Sequence, residues 1–150
     1  MKYIVLSIIL MWTTNIVGDE LTNKDVQSLI SKVELIVKKQ DANELGKFLK
    51  DDIKIVMNME SNGNKQTIKV EKSKYLSMLK EGWSVCSNHR YKISDIDIKI
   101  ENEIAHVSST VKETMTCQNQ NVSGISYEKT KIQLIDDKLK ITEIIANIKM

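Results

Sequence analysis

The stretch YKISDIDIKIENEIAHVSSTVKETMTC, residues 91–117, alternates apolar and polar residues on both sides of Asn102 and Glu103. Such alternation is typical of β-strands with one buried face, and the polar pair between them predicts a tight turn. In the first strand the apolar parity changes near Ser94 or Asp95. The change predicts one extra residue, a β-bulge, and therefore a bent antiparallel hairpin.

Further strands follow this hairpin, and helices precede it. Apolar residues recur at helical spacing behind Thr22 and Asp41, each a capping residue, and the pair Asn62-Gly63 is a strong hairpin signal. Gly82 is expected to end the third helix, and the polar residues 119–124 are expected to form a loop. The predicted helices lie near residues 26–37, 41–49 and 72–82, and the predicted strands near 53–62, 68–70, 88–101, 104–118, 125–135 and 139–149.

The chain is long enough for one domain, since it has 150 residues of which 41% are hydrophobic. Its first 18 residues are typical of an export signal, with Lys2 before an apolar run and small Gly18 at the end. The alternative is an uncleaved anchor, but the run is shorter than the roughly 20 residues that a bilayer span needs. We therefore expect a signal peptide at 1–18, one domain at 19–150, a periplasmic or secreted location, and membrane contact only before cleavage.

The charge balance argues against a nucleic-acid partner. Loss of Lys2 with the signal would take 22 basic residues to 21 against 20 acidic ones, a net charge of +1. Arg90 is the only arginine, so arginine clamps for phosphate or carboxylate groups are nearly excluded. The chain has no phosphate-binding glycine loop, dinucleotide fingerprint or nucleophile-elbow motif, and we expect no cofactor.

The two cysteines, Cys86 and Cys117, lie near the open end of the long hairpin. Counting back from its turn brings them within about one residue of facing each other, close enough for a disulfide bond. An exported protein would oxidise such a pair. The alternative is a metal site that also uses His89, but it lacks a convincing fourth ligand, and we expect no metal.

The order of the elements resembles the nuclear-transport-factor-like superfamily, which has a cystatin-like cone. The stretch Lys74–Trp83, KYLSMLKEGW, is similar to the third helix of SnoaL-like members, and the strand 93–100 and the triplet 105–107 follow as they do there. The resemblance implies an α+β fold in which three N-terminal helices pack on a curved, mainly antiparallel sheet of about six strands. The superfamily includes ketosteroid isomerase, polyketide cyclases, dehydratases, transport adaptors and exported domains of unknown role, so the resemblance implies a fold more than a function.

One carboxylate, Glu113, shares the parity of the predicted inner face of its strand. An isomerase-type interpretation would make Glu113 a general base and Tyr75 the donor to an oxyanion, with Ser109 and Trp83 lining the same pocket. In the alternative, Glu113 lies at the rim while Tyr75 and Trp83 are core residues with polar tips. The sequence offers no matched acid and base, which favours a protein without catalysis.

The last strand is apolar on both parities, because Ile141 and Ile145 alternate with Ile144 and Ile148. An outward Ile144 and Ile148 face would need cover, which favours a homodimer, although the N-terminal helix could cover the same side. The first hypothesis for function is an exported domain without catalysis that binds a small apolar ligand or a protein partner. The alternatives are a cofactor-free isomerase, cyclase or dehydratase, and an envelope interaction or toxin-neutralising protein.

Overall fold

The computed structural model of the protein describes residues 20–150, and the predicted signal segment lies outside the described residues. Within them, three helices pack on one face of a curved six-stranded sheet, which confirms the α+β fold. The strand order is β2-β1-β6-β5-β4-β3, antiparallel except for the parallel pair β1 and β6. The elements are α1 (Asn23–Lys38), α2 (Ala42–Phe48), β1 (Leu49–Ser61), β2 (Asn64–Val70), α3 (Lys72–Val85), β3 (Cys86–Glu101), β4 (Ile104–Cys117), β5 (Gln120–Ile135) and β6 (Lys138–Lys149).

Side-chain caps begin the first two helices, as predicted. Thr22 and Asp25 form a reciprocal capping box at the start of α1. Asp41 accepts a hydrogen bond of 2.9 Å from the backbone N–H of Glu44 at the start of α2. Both caps satisfy backbone donors that a helix N-terminus otherwise leaves without partners.

The third helix is longer than predicted, because it continues through Gly82 to Val85. Gly82 does not adopt the left-handed conformation that would end a helix. Because the helix continues past Gly82, Trp83 is helical and its side chain lies in the core, where it is only 8% exposed. Burial of that large side chain stabilises the extra turn.

A second glycine, Gly46 in α2, allows α2 and α3 to approach each other closely, because a Cβ there would lie 2.9 Å from Leu76 Cδ1 of α3.

The hairpin turns consist of two residues with positive φ, as type I′ turns require. Asn62 and Gly63 have φ angles of 50° and 78°, in agreement with the prediction. Gln118 and Asn119 form another such turn, with angles of 51° and 64°. The predicted polar loop at 119–124 is therefore wrong, since β5 begins at residue 120 and pairs with β4 from that residue onward. Its first residues are exposed and lack the apolar alternation by which a strand is recognised.

Bulges bend the sheet in places that determine which residues face inward. The predicted bulge in β3 is confirmed at Asp95, where φ is 51° and the register with β4 shifts. A second bulge at Asn88 in the same strand was not predicted. A third, at Thr142, follows from the register shift between β5 and β6. It brings Ile141 and Ile144 onto the same face.

The predicted outward face of Ile144 and Ile148 is wrong, because both side chains lie on the helix-covered face of the sheet. The opposite face is polar: Glu143 pairs with Lys54 at 3.0 Å and with Lys131 at 3.1 Å. The homodimer therefore stays a prediction, and it is no longer supported by an outward apolar face of Ile144 and Ile148. Among residues 20–150, no helix combines the length and apolar character needed to cross a membrane.

Candidate functional site

A cavity in two adjoining chambers separates the helices from the inner face of the sheet. The small chamber encloses about 80 Å³ and the large chamber about 240 Å³. Residues from α1, α3, β3, β5 and β6 line both chambers, and these shared residues are Val37, Tyr75, Tyr91, Glu128 and Ile144. The chambers therefore meet at a boundary that carries one carboxyl group and two phenols.

The walls are mainly apolar, with a few polar groups that converge on the boundary. Helices α1 and α2 and the first residue of β1 supply the apolar wall of the small chamber through Leu29, Ile30, Val33, Leu45 and Leu49. Strands β4 and β5 add the polar residues Ser109 and Thr130 to the small chamber, and Glu113 and Ser126 to the large one. An apolar pocket with a few placed polar groups is the usual form of a small-molecule site.

Glu128 lies at the centre of this arrangement, and strand pairing places it there. Ser109 of β4 faces Glu128 of β5 across the ladder, and Ser126 and Thr130 flank it on the same strand face. Burial raises the pKa of Glu128 to about 7, and the charge of nearby Glu113 acts in the same direction. A carboxyl group with this pKa can hold or release a proton near neutral pH.

The hydroxyl of Ser126 is close to Glu128 and opposes part of that rise in pKa. It nevertheless forms no hydrogen bond of ordinary geometry, so Ser126 Oγ is buried without a partner among the described residues. A buried hydroxyl without a partner costs free energy unless another polar group reaches it. Ser126 lines the large chamber, so an occupant of that chamber could supply the group.

The two tyrosines at the boundary remain protonated phenols. Burial raises the pKa of Tyr75 well above its usual value, and the carboxylates of Glu128 and Glu113 add to the effect. Burial raises the pKa of Tyr91 for the same reason, with a further contribution from Glu128. Both side chains can therefore donate a hydrogen bond from a neutral hydroxyl, and both present an aromatic ring to the cavity.

Glu113 forms a close pair with His89, with 2.6 Å between His89 Nε2 and Glu113 Oε1. The His89 side chain is 4% exposed, and that of Glu113 is 35% exposed, so Glu113 lies where the large chamber reaches solvent. Nδ1 of His89 is buried and has no hydrogen-bond partner in residues 20–150. A proton on Nε2 lets His89 donate a hydrogen bond to the carboxylate of Glu113.

The structure brings together three of the four residues predicted for a pocket. Tyr75 and Glu113 both line the large chamber, and Tyr75 and Ser109 both line the small one. Trp83 lines neither chamber and instead lies in an apolar cluster with residues of α1 and α2, with its ring centroid 6.2 Å from that of His89. Tyr75 and Tyr91, which line the cavity, also pack against this cluster.

Sequence reasoning missed three features of the site: Glu128, Tyr91 and the pairing of His89 with Glu113. A signal for Glu128 existed, since it has the parity of the buried residues Ser126 and Ile132. His89 could not be placed, because the unpredicted bulge at Asn88 changes the parity of the strand just before it.

The disulfide between Cys86 and Cys117 is present, as predicted, and joins the ends of β3 and β4 with a Cα–Cα distance of 4.3 Å. The two sulfurs are bonded to each other and are not free to act as ligands in the alternative metal site with His89. In the part of the chain that the structure describes, no group of three or more His, Cys, Asp or Glu side chains is arranged to hold a metal ion.

Comparison with known proteins identifies relatives in structure alone. No protein-family model matches the chain, and no curated protein matches it in sequence. An NTF2-like protein from Cytophaga hutchinsonii is 17% identical with a TM-score of 0.65, over 85% of this chain and 98% of that one. A protein from Novosphingobium aromaticivorans with a provisional assignment as a scytalone dehydratase is 15% identical with a TM-score of 0.64, over 85% of this chain and 83% of that one.

A third similar structure comes from the same bacterium and is the beta subunit of a protein provisionally assigned as an aromatic-ring-hydroxylating dioxygenase. It is 9% identical with a TM-score of 0.67, over 85% of this chain and 88% of that one. At such low identity these likenesses show the fold, and the different assignments on one fold show that the fold does not determine function.

Proposed function

We propose that this chain, whose fold is that of the nuclear-transport-factor-like superfamily, binds a small, largely apolar molecule inside its cone. The observation that carries the proposal is the two-chambered cavity, whose apolar walls surround the few polar groups at the boundary. Those groups can fix the orientation of a ligand, while the apolar walls supply the affinity.

A cavity-filling substitution tests this proposal. Ala146 on β6 lines the large chamber, and the preceding residue, Ile145, has the opposite strand parity. Ala146→Phe should abolish the binding of Nile red, a neutral dye that fluoresces in apolar sites, whereas Ile145→Phe adds an aromatic ring on the other face and should leave binding intact. Ser109→Leu, which narrows the small chamber, is a second blocking variant that disturbs the core less.

Dye binding that survives both Ala146→Phe and Ser109→Leu, in variants whose circular dichroism matches the parent protein, would contradict the proposal. So would a parent protein to which no apolar probe binds. Loss of binding in all three variants, including Ile145→Phe, would show that the dye reports on a site outside the cone.

A second candidate is a cofactor-free isomerase, cyclase or dehydratase, which the pKa of Glu128 favours. A carboxyl group with a pKa of about 7 in an apolar chamber suits a general base, and the neutral phenol of Tyr75 suits a donor to a developing oxyanion. The base in this version is Glu128 and not Glu113, whose carboxylate is held by His89. The likeness to a provisional scytalone dehydratase agrees with this class of reaction.

Turnover separates the two candidates. A catalytic cone should lose activity in Glu128→Gln and keep a large part of it in Glu113→Gln, when both are assayed on small carbonyl compounds with an acidic α-hydrogen. Binding of such compounds without turnover in the parent protein would support the first proposal and contradict the second.

The disulfide is consistent with export to an oxidising compartment, which remains part of the proposal.

A further inference from the structure

The charge of the cavity is unbalanced. Two carboxyl groups, Glu113 and Glu128, line the large chamber. Glu113 is paired with His89, but none of the described residues that line either chamber is a lysine, arginine or histidine. A ligand with a carboxylate or phosphate group would meet no compensating positive charge there, and its desolvation would be costly. The polar end of an occupant should therefore carry no negative charge, and a hydrogen-bond donor suits the carboxyl groups best.

We propose that the occupant of the cone is an apolar amine in its protonated form, with its ammonium group bound by Glu128 and Ser126 and its apolar part against the chamber walls. This inference rests on the proposed function and adds the chemical class of the ligand. Three features of the boundary favour a cation over a neutral donor.

The first feature is the unpartnered hydroxyl of Ser126. Its oxygen is buried in a residue that is 8% exposed, and it lines the large chamber beside Glu128. An ammonium group has three donors, so it can satisfy a carboxylate and a hydroxyl at the same time. A ligand hydroxyl can also reach both groups, by accepting from Ser126 and donating to Glu128, but it brings no positive charge to the carboxylate, and hydrogen bonds between charged groups are the stronger ones.

The second feature is the interaction between the two acids. The negative charge of Glu113 makes ionisation of Glu128 less favourable, so a positive charge between them would relieve the repulsion. Glu113 lies where the chamber reaches solvent and is partly screened by water, whereas Glu128 is buried, so the effect is felt mainly at Glu128.

The third feature is the pair of aromatic rings at the boundary. Tyr75 and Tyr91 both line both chambers beside Glu128. The face of a tyrosine ring attracts a cation through its quadrupole, and the attraction grows when the site excludes water. A neutral or anionic ligand gains nothing comparable from these two rings.

The test compares three probes of similar size and shape: 2-phenylethylamine, 2-phenylethanol and 3-phenylpropionate. At about pH 8, where Glu128 is ionised, the amine should displace Nile red at about one-tenth of the alcohol concentration or less, because a hydrogen bond to a charged group exceeds a neutral one by roughly a factor of ten in affinity. The propionate should be the weakest competitor.

Calorimetry gives a second reading that does not depend on affinity. Binding of the amine near pH 7 should release protons from Glu128, which appears as a difference in heat between two buffers with different ionisation enthalpies, and binding of the alcohol should release none. Glu128→Gln should remove both the proton release and the preference for the amine. Glu101→Gln, which changes an exposed carboxylate at the end of β3, is the matched control and should change neither.

The outcomes separate the two proposals. If the alcohol or the propionate binds as tightly as the amine, the inference about ligand class is overturned and the apolar-ligand proposal survives. If the amine is preferred but Glu128→Gln keeps the preference, the assignment of the ammonium site is overturned. If neither the dye nor any probe binds, both proposals fail.

Discussion

Replacement of Glu128 by glutamine should stabilise the protein at alkaline pH and leave its stability almost unchanged at acidic pH. Glutamine keeps the shape of the side chain but carries no charge at any pH. In the folded protein the pKa of Glu128 is raised from 4.5 to about 7, chiefly by burial. The folded state therefore holds the Glu128 proton over a pH range in which the unfolded chain has already released it.

The sign follows from proton linkage. Below about pH 4, Glu128 is protonated in both states and costs nothing. As the pH rises from about 4.5 to about 7, the unfolded chain releases this proton while the folded state still holds it, so the stability falls; above the folded pKa the loss levels off. Each unit of pKa corresponds to about 1.4 kcal/mol, so the rise to about 7 makes ionised Glu128 destabilising by at most about 3 kcal/mol. Glu128→Gln should recover most of that amount at about pH 8.5.

Urea denaturation at several pH values measures the effect, with the disulfide intact. The variant must be compared with the parent at each pH, because other carboxylates act in the opposite sense. Pairing with Lys54 lowers the pKa of Glu143, for example, so its contribution is present above its unfolded pKa and is lost on acidification. That contribution is the same in both proteins and cancels in the difference. Glu101→Gln serves as the exposed control.

Parallel stability curves for the parent and Glu128→Gln between about pH 4 and pH 8.5 would refute the reasoning, because they would mean that Glu128 is hydrated in the folded state. A variant that is less stable at every pH would also refute it, because the carboxylate would then be a favourable partner in the native core.

Two further predictions concern the framework around the cone. Replacement of both cysteines by serine should lower the free energy of unfolding by about 3 to 4 kcal/mol, since the bond closes a loop between positions 31 apart; the change in urea midpoint at equal slope measures it. Gly46→Ala should stabilise α2 by about 1 kcal/mol in a Leu76→Ala background but by less in the parent, because its Cβ would lie 2.9 Å from Leu76 Cδ1. A double-mutant cycle measures this coupling, and equal effects in both backgrounds would show that Leu76 moves aside freely.

Local patterns in the sequence were sufficient for the elements and their order. The capping residues Thr22 and Asp41 begin helices where they were expected, and Asn62-Gly63 forms the predicted turn. These features depend on the conformational preferences of a few neighbouring residues, so they can be predicted without knowledge of the fold. The Cys86–Cys117 bond was also accessible, because the register of one hairpin is counted from its own turn.

Two of the register shifts in the sheet could not be predicted from the sequence. A β-bulge exchanges the two faces of a strand, and nothing in the polar residues near Asn88 or Thr142 distinguishes a bulge from a regular strand. The bulge at Thr142 made Ile144 an inner residue, and the bulge at Asn88 turned His89 towards Glu113. Which face is buried depends on packing against other elements, which local sequence patterns do not record.

The candidate site, too, was predictable only in part from the sequence. Parity along single strands or helices was enough to propose Glu113, Ser109 and Tyr75 as inward residues, but not to reveal that Glu128 stands between them. Only tertiary structure brings β5, β3 and α3 together around that carboxyl group, and the resulting exclusion of water, with a smaller contribution from the charge of Glu113, raises its pKa to about 7. The sequence by itself determined the elements, their order and the disulfide, because those depend on near neighbours; the tertiary structure decided the inward faces, the cavity and the chemistry of Glu128, because those depend on residues that are distant along the chain.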